Sequence, residues 1–302
     1  MIGNTMKEII YAIFLSFFLC GLCGNAEAKK KKEVKKAIKR EVQTPYDKLF
    51  KGKKAFTVNG LMKMHLMAGK VYAEFPIELL NRDLALTSSI EDISDNGEGV
   101  VGQFAGRVNQ FRFTLQDSML QARLVRRYGV KNTGMGKNAD QIIERSNTPG
   151  IFQSYKILAY TPDKKAVVVD MTELFLESSR LTNPFPSYAG NSLYGFVQRI
   201  HKFQSQRSEL LGICGNDNSM SVRCNLGFNV DRLVLGSFMQ AKDVPVSVTV
   251  NKILMLLPEN PMRPRLADSR IGVNAIIQTE LPDVCQGIKT YYITKRWRIE
   301  PV

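Results

Sequence analysis

KVYAEF at Lys70–Phe75, then Pro76, then LALTSSI at Leu84–Ile90: this is the stretch from which the fold is read. Val71, Ala73 and Phe75 alternate with Tyr72 and Glu74. Alternation with a period of two marks a strand with one face on a core, and the aromatic and β-branched content agrees. Upstream, Phe56–Leu66 is set off by Met67-Ala68-Gly69, so the two segments form a hairpin. Pro76 ends the strand. Ile77–Arg82 is expected to make one or two helical turns, and Asp95-Asn96-Gly97 with Gly99 makes a firm turn.

The rhythm continues downstream. Gln110–Leu115 alternates, and Met119–Tyr128 reads as its partner across Gln116-Asp117-Ser118. Phe152–Tyr160 and Ala166–Asp170 flank the turn Thr161-Pro162-Asp163. Met171–Ser178 is expected as a short helix with Asp170 at its N-cap, and Ala139–Arg145 as another. Thr182–Gly195 reads as loop. Phe196–Gln206 places Phe196, Ile200 and Phe203 on one helical face and is expected to be helical. Cys224–Val230, Leu233–Met239, Val244–Leu257, Ala275–Thr279 and Thr290–Ile293 complete the strands. The predicted class is α+β, predominantly antiparallel β-sheet with a few short helices. Four segments are expected: a signal peptide over 1–28, a basic disordered tail over 29–44, a hairpin and strand subdomain over 45–97, and a β-rich module over 98–302.

That last module closes on a distinctive run. Val246–Leu257 feeds into LLPENPMRPRLADSRIGV, residues 256–273, with Pro258, Pro261 and Pro264 close together. Each proline fixes its own φ and pushes the preceding residue toward extended geometry. The segment therefore reads as an extended arm crossing a surface. Arg263 and Arg265 are expected on one face of it, with Asp268 and Arg270 following. A C-terminal strand leads into Lys295-Arg296-Trp297-Arg298-Ile299-Glu300-Pro301.

Two of these stretches carry a resemblance. LPENPMRPRLADSRIG with RWRIEP, and KVYAEFPIELLNRDLALTSSIEDISDNGEG near the other end, look like the N-terminal region of secreted bacterial zinc metalloproteases. Those are large proteins with domains of unknown function ahead of a metzincin-like protease domain. The resemblance implies a non-catalytic, exported accessory module that docks to or positions a metalloprotease domain, in cis or in trans. Zinc is expected only in that absent catalytic part. Arg263, Arg265, Asp268, Arg270, Trp297 and Arg298 are the candidate interaction residues. Two further readings stand beside it. One is a stand-alone binding module for a surface glycan or peptide, with Phe185, Tyr188 and Tyr194 as contacts. The other is a propeptide-like inhibitor in which Asp268 offers a carboxylate to a partner's metal.

Composition is that of a globular protein, 44% hydrophobic and 23% charged over 302 residues. Net charge is +14, and Lys29–Arg40 (KKKKEVKKAIKR) contributes much of it. This run holds no aromatic residue to stack on bases, so nucleic acid is not an expected partner; the run reads as a solvated tail, with contact to an anionic lipid or polysaccharide surface as the alternative. Ahead of it, Lys7, the apolar stretch Ile9–Leu22 and the small-x-small site Ala26-Glu27-Ala28 read as an export signal. The expected location is periplasmic, cell-surface or extracellular. In such a compartment Cys214 and Cys224, flanking GNDNSMSVR, are candidates for a disulfide, and Cys285 is left over as a small core residue.

Catalytic motifs were sought. A zinc protease needs two histidines one helical turn apart with a glutamate between them. The two histidines here, His65 and His201, are 136 positions apart and neither begins His-Glu-x-x-His. GNSLY at 190–194 departs from a nucleophile elbow at Tyr194, and GVKNTGMGKN at 129–138 departs from a phosphate loop at Lys131 and Asn138. No catalytic residue, metal ligand or cofactor is expected.

Overall fold

The computed structural model describes residues 43–106, 108–125, 130–132, 141–142, 145–177, 182–185, 188–192, 195–235, 240–260, 262–268, 270, 272, 274–281 and 289–295. Two compact units divide the chain, Met1–Lys48 and Leu49–Val302. Helix α1 (Pro45–Phe50) begins with a reciprocal cap: Asp47 N–H donates to Thr44 Oγ1, and Thr44 N–H donates to Asp47 Oδ2.

The named strands all lie in the second unit. They are β1 (Phe56–Val58), β2 (Lys63–Met67), β3 (Lys70–Pro76), β4 (Asp83–Ile93), β5 (Asn109–Gln116), β6 (Met119–Leu124), β7 (Val130–Asn132), β8 (Gly150–Tyr160) and β9 (Ala166–Asp170). After helix α2 (Thr172–Leu176) come β10 (Tyr188–Ser192), β11 (Gly195–Asn216), β12 (Ser219–Leu235), β13 (Gln240–Leu256), β14 (Ala275–Leu281) and β15 (Lys289–Thr294). One sheet runs β1-β2-β3-β9-β8-β6-β5-β4-β13-β12-β11-β10, every neighbouring pair antiparallel. A second, smaller sheet runs β15-β14-β7, and its β14–β7 pairing is parallel. The protein is thus mostly antiparallel β-sheet with few short helices. The α+β label is only roughly apt.

Local chemistry explains the turn after β2 and the end of β9. Met67 pairs with Lys70, so Ala68-Gly69 is a two-residue turn, with both central residues at positive φ (+50° and +70°). That is the turn geometry whose twist matches a hairpin. Asp170 Oδ1 accepts from Thr172 N–H at the start of α2, although Met171 occupies the N-cap position itself. The expected helix at Ala139–Arg145 falls partly outside the described residues; those described within it are helical.

The largest departures lie around β11–β13. Phe196–Gln206, expected to be helical, belongs to the 22-residue strand β11. The spacing of Phe196, Ile200 and Phe203 suits a helix locally, but β12 offers a continuous partner from Phe196↔Leu235 onward. Cross-strand pairing overrides a short local pattern. The two strands expected at Cys224–Val230 and Leu233–Met239 are, as far as Leu235, one strand, β12, with an irregularity between Val230 and Arg232; residues 236–239 lie outside the described residues. The segment between the two cysteines is not a loop. It is the tip of the β11–β12 hairpin, where Asn216 pairs with Ser219 across Asp217-Asn218. Thr182–Gly195, expected as loop, contains strand β10.

Burial follows the strand period. On β12, Met220, Val222, Cys224, Leu226, Phe228 and Val230 are all buried. One core cluster joins Met64, Val71, Ala73 and Phe75 to Phe111, Phe113, Ile213, Met220, Val222 and Leu254. Residues from the first strands of the sheet and from the β11–β12 tip thus share one interior, so the sheet rolls up on itself. The two come together at a backbone contact, Leu61 N–H to Asn216 C=O at 2.8 Å. A second cluster holds Ile90, Phe185, Leu226, Phe228, Val230, Val246, Val248 and Val250.

Gly60 sits where the roll closes. A Cβ there would stand 2.7 Å from the Asn216 carbonyl oxygen and 2.8 Å from Met220 Sδ. Gly60→Ala is expected to destabilise by roughly 1–3 kcal/mol, as overpacking does. Gly150→Ala, with nothing within 4 Å of the added atom, serves as the control. Thermal melts of the two variants check this, and equal melting points would refute the closure.

Candidate functional site

The arm begins where β13 ends at Leu256. Leu257 N–H donates to Asp83 C=O at 2.9 Å, and Arg82 pairs with Glu259 at 2.8 Å. The arm then runs along the free edge of β15. Leu266 bridges Ile293, Ala267 N–H donates to Tyr292 C=O, and Thr294 N–H donates to Arg265 C=O at 2.9 Å. Proline has no N–H to give, and these ladder bonds run through Arg265 and Ala267 instead.

The sheet that the arm completes is unusually bare. Leu266 is 64% exposed, Ile276 50%, Ile277 65% and Tyr292 56%. Ile277 pairs with Tyr292 and Ile276 with Ile293. Neighbouring residues on a strand face opposite ways, so large apolar side chains stand exposed on both faces. Arg263 and Arg265 are exposed beside them. Arg270 grips Asp268 through two hydrogen bonds from Nε, at 2.9 and 3.1 Å. This hydrogen bonding holds the Asp268 carboxyl below its usual range. Trp297 and Arg298 lie outside the described residues, as do Cys285 and Lys29–Arg40.

The other candidates are placed as follows. Cys214 and Cys224 are free thiols, which corrects the expected bridge. In the register, Cys214 opposes Ser221 and Cys224 opposes Leu210. Cys214 is exposed, whereas Cys224 points into the core and its Sγ donates to Phe175 C=O. Side chains directed to opposite sides of a hairpin do not meet. Phe185, offered as a ligand contact, is buried and stacks on His201 at 4.5 Å. The side chains of Tyr188 and Tyr194 lie outside the described residues.

Both histidines are bound to glutamates. His65 Nε2 meets Glu74 Oε1 at 3.0 Å and its Nδ1 meets Thr57 Oγ1 at 2.8 Å, under the Phe50 ring. His201, expected on a helix but found on β11, meets Glu98 Oε2 at 2.6 Å. Arg232 donates to Glu98 Oε1 at 2.7 Å and also pairs with Asp95. Its hydrogen bond, with one from Gly97 N–H, holds the Asp95 carboxyl below the ordinary range. These links pin the Asp95–Gly99 turn to β11 and β12. Among the described residues, no three His, Cys, Asp or Glu side chains gather to hold a metal ion.

One buried charge was missed by sequence reasoning. Val246, Val248, Val250, Lys252 and Leu254 follow the inward period of β13, and Lys252 is only 1% exposed. Its position in phase with the valines was the available signal. Lys252 Nζ donates to Glu177 C=O at 3.2 Å, beside a cavity of about 10 Å³ lined by Thr87, Ser88, Asn109 and Thr182. Burial pushes its pKa down to about 8.

Family comparison gives two matches. Residues 102–302 match a domain of unknown function, DUF5117, and residues 43–93 match another, DUF5118. The chain belongs to the DUF5117 family. No curated protein and no solved structure matches it. Neither family description carries an activity, a substrate or a partner. In this DUF5117 chain the arm, β14, β15 and Lys252 all fall within the matched stretch.

Two outcomes follow from the buried groups. Between pH 8 and 10.5 the unfolded chain holds a proton on Lys252 that the folded chain has released. Stability therefore rises with pH across that window, by roughly 3 kcal/mol from this group. Lys252→Met is expected to raise the melting point at pH 7 and to flatten the alkaline rise relative to the parent; a lower melting point at pH 7 would refute the assignment. Site-resolved alkylation by mass spectrometry should label Cys214 in the native protein and Cys224 only after denaturation, since burial raises the Cys224 pKa to about 11.

Proposed function

We propose that this chain is a non-catalytic, exported accessory module that docks to a zinc metalloprotease domain, in cis or in trans, through its C-terminal sheet. The supporting observation is the exposure of Leu266, Ile276, Ile277 and Tyr292 on both faces of that sheet. Exposed apolar side chains that neighbour one another, as Ile277 and Tyr292 do across the β14–β15 pairing, favour a partner surface, and Met262, itself 37% exposed, adds to them on the arm. Exposed Arg263 and Arg265 supply a charged rim, the usual surround of an apolar interface centre. The resemblance of the arm and of RWRIEP to the segment ahead of a metzincin-like catalytic part names the partner. The zinc and the catalytic residues belong to that partner in this reading. Lys29–Arg40 adds a basic tether for an anionic surface outside the cytoplasm.

The inhibitor reading is less favoured. Asp268 would have to give up Arg270 before offering both carboxylate oxygens to a metal.

Size-exclusion chromatography of this chain with a separately expressed metalloprotease domain containing His-Glu-x-x-His tests the proposal. Co-elution at micromolar concentration is expected. The double variant Ile277→Lys, Tyr292→Lys should abolish it while leaving the melting point near that of the parent, because both side chains are exposed. Absence of a complex, or chelator-sensitive casein cleavage by this chain alone, would overturn the reading.

A further inference from the structure

Phe104 is the most exposed large apolar side chain among the described residues, at 73%. Val100, Val101 and Val108, close to it in sequence, are each more than half exposed. From Gly99 to Gly106 (GVVGQFAG) the chain carries no charge. This segment is held in place. Gly102 N–H donates to Ile90 C=O at 2.9 Å, Ile90 N–H to Gln103 C=O at 3.0 Å, and Ala105 N–H to Ser88 C=O at 2.8 Å. Phe104 bridges Ser89, so the segment lies on the edge of β4 beyond the Asp83–Leu86 stretch that β5 covers. Val100-Val101-Gly102-Gln103 is a turn closed by Gln103 N–H to Val100 C=O at 3.2 Å. Gly102, at φ +87°, takes the third position, where a type II turn requires positive φ. The base of the loop is clamped as well. Arg232 pairs with Asp95 and Glu98, and Arg199 donates to Gly97 C=O at 2.6 Å.

Apolar side chains fixed in water by a hydrogen-bonded backbone favour a partner phase. Two features fit lipid better than protein. A protein interface has a polar rim around its apolar centre, as Arg263 and Arg265 give the C-terminal sheet, whereas this turn is uncharged for eight residues. Backbone groups left unpaired are costly in a bilayer, and several in this segment are already engaged with β4. Charge names the kind of lipid. The chain carries +14, and the first charge after the turn in sequence is Arg107. Asp95 and Glu98, the last carboxylates before it, are countered by Arg232.

We infer that the Val100–Phe104 turn inserts into the interfacial layer of an anionic lipid bilayer, with Lys29–Arg40 supplying the electrostatic half of the attachment. Stable attachment of this kind takes two such signals, and anionic headgroups attract clustered lysines. The inference rests on the tether reading of Lys29–Arg40 for its electrostatic half and is independent of the C-terminal sheet.

Flotation of the full chain with vesicles tests it. One set is phosphatidylcholine mixed with phosphatidylglycerol, the other phosphatidylcholine alone. The parent is expected to float with the mixed vesicles and several-fold less with the neutral ones. The double variant Val101→Asp, Phe104→Asp should lose flotation several-fold with its melting point near that of the parent, because both side chains are exposed. Val101→Trp in a Trp297→Phe background reads insertion directly: its emission should shift to the blue with mixed vesicles and be quenched by brominated acyl chains. Equal flotation of parent and double variant, or an unshifted Trp emission, would refute the insertion. Equal flotation with both vesicle sets would refute the tether. If the parent binds neither set, and the double variant instead loses co-elution with the metalloprotease domain or changes oligomeric state, the turn belongs to a protein interface and the inference is overturned.

Discussion

The inward alternation of β12 is the constraint on which the rest of the molecule depends. Six side chains at every second position, from Met220 to Val230, are withdrawn from water. A slip of one residue would turn all six outward and bring Ser221, Arg223, Asn225, Asn229 and Asp231 inside. Exposing each large apolar side chain costs about 1.5–3 kcal/mol, and burying unpaired charge costs more. Register in this part of the sheet therefore has one solution. β13 and β11 take their registers from it, and β4 takes its register from β13.

Several features follow from that single register. It delivers His201 and Arg232 to the two oxygens of Glu98, which ties down the turn after β4. It sets Gly212, Arg223 and Asn251 abreast in one cross-strand row. It also places Lys252 in line with the inward valines, where the Glu177 carbonyl accepts from it beside a space about the size of one water. The end of β13 then aims the proline-rich arm toward β15.

Much of the candidate surface was legible before any coordinates. Three closely spaced prolines exclude a helix over the arm, and Leu266 within it bridges Ile293 of β15. Arg263 and Arg265, expected on one face of the arm, are both exposed. The apolar content of β14 and β15 was visible too, but its exposure was not, because Ile276 and Ile277 would read the same in a buried strand. The paired cysteines misled for a related reason. Ten positions of separation with turn residues between them suit a short bridged loop, and nothing local says that the segment is a hairpin tip whose opposite sides carry the two thiols.

What the amino-acid order determined by itself was local. It set the strands that alternate cleanly, such as Lys70–Pro76 and Ala166–Asp170, the turn at Ala68-Gly69, and the want of a His-Glu-x-x-His motif. These rest on backbone sterics and side-chain period, which act over a few residues. Tertiary structure alone decided that Phe196–Gln206 is strand, that β1–β3 and the β11–β12 tip share one interior, and that Lys252 is buried. It likewise decided that Asn251 Oδ1 has no partner among the described residues. Those outcomes depend on which strand lies beside which. Pairing across a hundred or more positions is a property of the whole chain's burial, and no short window of sequence contains it.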